Sequence, residues 1–165
     1  MDNGRDIAYL IRLVLEKEIR NLISTAEIAE DAEPMHVNQL TELVIARAIE
    51  VHRALGPGLL ESAYEMCLCH ELSFGRIPFE RQKPIPLTYK GITLDCGYRA
   101  DIVVDGRLLV EVKSVDTLAA IQEAQLLSYL KLGGWQIGLL MNFNVQLLKS
   151  GIRRRVLNLP EEITL

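Results

Sequence analysis

Residues 98–113 read YRADIVVDGRLLVEVK. Two apolar runs, Ile102-Val103-Val104 and Leu108-Leu109-Val110, flank Asp105-Gly106. Runs with no polar alternation suit strands covered on both faces, and Asp-Gly between two such runs is a hairpin signal. The spacing therefore predicts central strands over 98–104 and 108–115. Asp101, Glu111 and Lys113 are set into this apolar stretch. A buried charge is costly unless it is paired, hydrogen-bonded or metal-bound, so three of them require a reason.

The register of the hairpin decides whether they meet. Glu111 and Lys113 lie two apart and share a face. A two-residue loop at Asp105-Gly106 sets Asp101 against Val110 and turns it to the other face. A three-residue loop, or an equivalent bulge, pairs Val104 with Leu108 and brings Asp101 opposite Glu111; glycine at a left-handed bulge position favours that loop. Two carboxylates and a lysine on one face are suited to Mg²⁺, which prefers oxygen ligands, with Mn²⁺ as a substitute. The backbone carbonyl of Val112 is a candidate further ligand. Such an ion polarises a phosphodiester and acidifies a water, and the lysine can orient that water or meet charge on the phosphate. The competing reading is an ion-pair network that only neutralises itself.

On the amino-terminal side, residues 5–23 carry apolar side chains at three-to-four spacing and read as an amphipathic helix. An acidic segment over 26–34 ends in Pro34 and reads as a linker. Helices follow over 38–55 and 60–74, joined by Gly56-Pro57-Gly58, with Gly75 as a stop. Residues 79–83, 85–89 and 92–96 read as strands, Pro84 and Pro86 placing their segment at a sheet edge or bulge. On the carboxyl-terminal side a helix over 118–132 stops at Gly133-Gly134. Residues 135–141 read as a buried strand, and residues 153–157 as a last one. The order defines an α/β fold, a mixed sheet with helices packed on it. The domain boundary falls between 34 and 35, giving a helical extension over 1–34 and a folded domain over 35–165.

The 165 residues carry a net charge of −4, and nearly half are hydrophobic. Residues 1–35 hold four basic and eight acidic residues, while 36–165 hold fourteen of each. There is thus no global basic footprint of a DNA-binding domain. Three cysteines, an odd number, point to a reducing compartment. With no leader sequence and no apolar span of about 18 residues, the expected location is the cytoplasm, with no membrane contact.

Other residues carry weaker signals. Glu61 opens a helix three residues after Gly58, with Tyr64 one turn on along the same side; a glutamate there also simply suits the helix dipole. Gln125 and Tyr129 share a helix face and can reach substrate, or can form a solvated face. His36, His52 and His70 have no ligand spacing and read as surface or capping residues. Arg153-Arg154-Arg155 offers phosphate contacts or a solvated edge strand.

Five blocks in order, AIEVHRALGPGLLESAYE, YRADIVVDG, VEVKS, EAQLLSYLKLGG and LLMNFN, resemble GxxExxY-family proteins, the signature itself being Gly58-Leu59-Leu60-Glu61-Ser62-Ala63-Tyr64. The resemblance runs from about 40 to 157. It implies the PD-(D/E)XK nuclease-like superfamily and a restriction-endonuclease-like core. Asp101 then matches the motif aspartate, Glu111 and Lys113 the (D/E)xK pair, and Glu61 the helical acid, which completes or orients the site as a further metal ligand. Gln125, Tyr129 and Tyr64 fall on the substrate side. The implied function is Mg²⁺-dependent phosphodiester hydrolysis of nucleic acid. The alternatives are a non-catalytic module on the same fold, with the 5–23 helix docking a partner or second copy, and an enzyme of small phosphate esters.

Overall fold

The computed structural model describes residues 35–95 and 97–157. The expected helix over 5–23, its linker and Cys96 lie outside the described residues. The described residues from His36 onward belong to one compact unit.

Helix α1 (Val37–Leu55) is capped by His36, whose ring Nδ1 accepts from the Asn38 N–H while the His36 backbone N–H donates to Gln39 Oε1. This reciprocal cap satisfies two otherwise free donors. The α1 stripe Leu40, Val44, Ala48 and Val51 is buried. Helix α2 (Glu61–Phe74) buries Tyr64, Leu68 and Leu72 at four-residue spacing. Strands β1 (Phe79–Pro84), β4 (Arg99–Val104), β5 (Leu108–Lys113), β6 (Ile137–Asn142) and β7 (Ile152–Val156) form one sheet in the order β1-β4-β5-β6-β7. β5 and β6 run parallel, bridged by helix α3 (Ala120–Gly133), and the other neighbours are antiparallel. This is the mixed, helix-flanked sheet expected of a restriction-endonuclease-like core.

Alternation along the strands builds two cores. Ile102, Val104, Leu108, Val110 and Val112 pack with α1 and α2. Val103, Leu109 and Leu140 pack with Leu126 and Leu130 of α3. Side chains on successive strand residues point to opposite faces, so a central strand must be apolar throughout. That is why β4 and β5 read as continuous apolar runs. Each such side chain, fully buried, contributes about 1.5–3 kcal/mol.

Several expectations change. The segments over 85–89 and 92–96 form not sheet strands but a separate hairpin, β2 (Leu87–Tyr89) with β3 (Ile92–Leu94), after Pro84 ends edge strand β1. Residues before β7 form a short helix, α4 (Leu148–Gly151). His36 caps, but His52 is buried, its Nε2 2.8 Å from the Val145 carbonyl. The arginine run sits on edge strand β7 and faces both helix layers: Arg153 and Arg155 pair with Glu123 of α3, and Arg154 donates to Asn38 of α1.

Candidate active site

Asp105 and Gly106 both take left-handed backbone angles, φ 50° and 64°, and the Arg107 N–H closes the turn on the Val104 carbonyl. Yet Val104 pairs with Leu108, so Arg107 is the extra residue. Glycine and aspartate tolerate this region best. The pairing continues to Ile102 opposite Val110, which sets Asp101 opposite Glu111, as the bulged register requires.

At that point side chains replace the ladder. The Val112 N–H donates to Asp101 Oδ2 at 2.9 Å, and the Asp101 N–H donates to Glu111 Oε1 at 3.3 Å. Lys113 Nζ lies 3.5 Å from Glu111 Oε2. A strand residue directs its N–H and C=O to the same edge. The Val112 carbonyl therefore faces the β4 side, where Asp101 reaches in, while the Lys113 carbonyl faces β6 and accepts from the Phe143 N–H.

The electrostatics follow from burial. The Glu111 side chain is 3% exposed. Burial first, then the neighbouring Asp101 charge, pushes its carboxyl up to about 7, against the pull of Lys113. Burial also raises Asp101, opposed by the Val112 N–H and Lys113. Two desolvated carboxylates, Glu111 raised further by Asp101 and Asp101 by Glu65, form an oxygen-only donor set short of positive charge, and a hard divalent cation fits it. Among the described residues no three His, Cys, Asp or Glu side chains lie close enough together to hold a metal.

Glu61 is brought to the end of β5 rather than against the pair. Its Oε1 accepts from the Ser114 N–H at 3.0 Å, and Ser114 Oγ donates to the Leu59 carbonyl at 2.6 Å. The corner before it needs its glycines: Gly56 and Gly58 stand at φ 68° and 100° around Pro57. Tyr64 locks that corner. Its hydroxyl donates to the Gly56 carbonyl at 2.7 Å and accepts from the Leu59 N–H at 3.0 Å, and its ring stacks on Phe143. The ring is fully buried, so Tyr64 positions the corner from within the core; its expected place among substrate contacts is corrected. Tyr64→Phe is expected to cost about 1–3 kcal/mol in urea unfolding, because two part-buried backbone groups lose their partner. A change within ±0.3 kcal/mol, roughly the error of such fits, would refute the lock.

Gln125 and Tyr129 do pair, Nε2 donating to the hydroxyl at 2.8 Å. They line a groove of about 310 Å³ with Tyr98, Leu87 and Ile121. Hydrogen bonds link neither of them to the carboxylates. By alternation from Leu109, which packs with α3, Glu111 and Lys113 face the same side of the sheet as that helix.

Three residues escaped sequence reasoning. Asn142, buried beside Lys113 in the β5–β6 register, accepts from the Val115 N–H and donates to its carbonyl, holding the chain that leaves the site. Buried Glu65 and half-buried Gln82 adjoin Asp101: Gln82 Nε2 lies 2.9 Å from Glu65 Oε1 and 3.3 Å from Asp101 Oδ1. Only Glu65, a charge on a helix face otherwise apolar at Tyr64, Leu68 and Leu72, left a trace in the sequence.

The model of the PD-(D/E)XK nuclease superfamily matches residues 38–155, and the chain belongs to that superfamily. No curated protein and no solved structure matches it.

Proposed function

We propose that this protein is a metal-dependent nuclease of the GxxExxY type that hydrolyses phosphodiesters of nucleic acid, with Mg²⁺ as its ion and Mn²⁺ as a substitute. The observation that carries this reading is the Asp101–Glu111 pair, joined across two central strands by the Val112 and Asp101 amides. Asp101, Glu111 and the Val112 carbonyl would hold the ion. When bound, a divalent cation there supplies Lewis-acid polarisation of the phosphoryl oxygen and a more acidic water. Lys113, 15% exposed, orients the attacking water and meets charge developing on the phosphate. Glu61, at the strand end, completes or orients the site. Gln125 and Tyr129 meet the substrate from α3. Among the described residues no helix is long and apolar enough to cross a membrane; free Cys67 and Cys69 fit the cytoplasm.

The test is Mn²⁺ calorimetry on wild type and on Asp101→Ala/Glu111→Ala, with a nuclease assay on the same samples. Binding and metal-dependent cleavage in wild type, both lost in the double variant, support the enzyme. A wild type that binds no ion at millimolar concentration and cleaves nothing returns the cluster to an ion-pair network. A non-catalytic module on this fold has one observation in its favour: Glu61 is already engaged by the Ser114 amide.

A further inference from the structure

On β1 the pairing with β4 runs Arg81 with Ile102, then Lys83 with Ala100. Gln82, opposite Asp101, drops out of it at φ 51°. Across the same step β4 changes the side it presents, Ile102 joining the α1–α2 core and Ala100 the α3 core. A glutamine in the left-handed region inside a strand is strained; glycine or asparagine would sit there more easily. The side chain offers a reason for the choice. An amide NH₂ carries two hydrogens, and here two carboxylates stand around it, neither able to donate. Glu65 is itself fixed, buried on α2 and bonded by Arg81 Nε at 2.6 Å.

We infer that Gln82 is a positioning residue of the proposed metal site: anchored on Glu65, it sets the rotation of the Asp101 carboxylate so that Oδ2 stays on the Val112 amide. The inference rests on the nuclease reading only for its consequence in metal binding; the placement of the carboxylate stands apart from it. Without the Gln82 donor, Asp101 keeps one of its two restraints and turns away from a neighbouring negative charge at Glu65. A ligand left to rotate binds its ion more weakly, typically by about 10- to 100-fold when such a supporting bond is lost.

The test uses Gln82→Gly, which takes the same backbone angle without strain, and Gln82→Asn, which tolerates it but is too short to bridge. Three readouts are taken on the full chain: the Val112 amide proton resonance without metal, Mn²⁺ affinity, and the melting temperature. Both variants are expected to melt no lower than wild type, to shift the Val112 resonance upfield, and to bind Mn²⁺ about tenfold more weakly. A purely structural role would instead lower the melting temperature and leave the resonance in place. An unmoved Val112 resonance overturns the inference, as does unchanged Mn²⁺ affinity against a wild type that binds. A wild type that takes up no Mn²⁺ while the resonance still moves leaves the positioning in place and removes the nuclease reading.

Discussion

Asp101→Asn is expected to abolish divalent-ion binding and to lower turnover on a nucleic-acid substrate by at least about 10³-fold, as removal of a principal electrostatic group does. The substitution keeps shape and volume, so the two strands should stay paired. It removes one negative charge from the donor set and also breaks the hydrogen-bond chain. Asparagine can still accept from the Val112 N–H with its oxygen. Its NH₂ then faces the Gln82 NH₂, donor against donor. Turning the Gln82 amide over relieves that clash but points the Gln82 oxygen at the Glu65 carboxylate, which only accepts. No arrangement satisfies all three. Calorimetry with Mn²⁺ and single-turnover cleavage measure the two effects. Cleavage within about tenfold of wild type, a loss that one supporting bond can cause, would exclude Asp101 from the centre.

Glu111→Gln is expected to raise stability at neutral and alkaline pH. The carboxyl of Glu111 titrates near 7 in the fold, against 4.5 ordinarily. A raised acid pKa means that the folded state holds its proton longer than the unfolded chain does. Stability is therefore full below about pH 4.5, falls as pH rises toward 7, and is lowest above it. The loss is about 3 kcal/mol. Glutamine is never charged and escapes it. In urea unfolding without metal, the variant should match wild type at about pH 4 and exceed it at pH 8 by about 2–3 kcal/mol. Mn²⁺ at a hundred times its Kd should then restore wild type by about 2.7 kcal/mol and leave the variant unmoved. A variant less stable than wild type at pH 8 would show that the Lys113 contact outweighs burial, and would remove the electrostatic case for a cation.

What was legible in the chain was whatever depends on neighbours in sequence. Unbroken apolar runs announced β4 and β5 as central strands, and the need to bring Asp101 opposite Glu111 fixed the odd register that Arg107 provides. Glu61 and Tyr64 do share a helix side, but periodicity could not say that the tyrosine ring lies in the core and the carboxylate at the rim, because packing against Phe143 decides it. Gln125 and Tyr129 were found as a pair, while the groove they line needs Tyr98 and Leu87, brought there by the hairpin between β1 and β4. Gln82 was invisible. Its role depends on an edge pairing with a strand 19 residues away and on a backbone angle that its residue type argues against. The arginine run was legible as a solvated edge strand whose alternate members take different faces; which helix each face meets was not.

Those arginines also bear on the order in which the molecule is made. Arg154 meets Asn38 across 116 positions, and the Val145 carbonyl meets His52 across 93. The first described helix thus takes two of its polar partners from segments that follow it by 93 and 116 positions. During synthesis at roughly 5–20 residues per second, α1 and α2 emerge seconds before β4 and β5, on which they pack, and longer still before β7, whose Arg154 bonds Asn38. Their apolar stripes are covered once β4 and β5 follow, and β7 then closes the free side of β6 as the last step of the sheet. Shortening the chain before Ile152 should leave nascent protein that engages chaperones rather than a smaller domain.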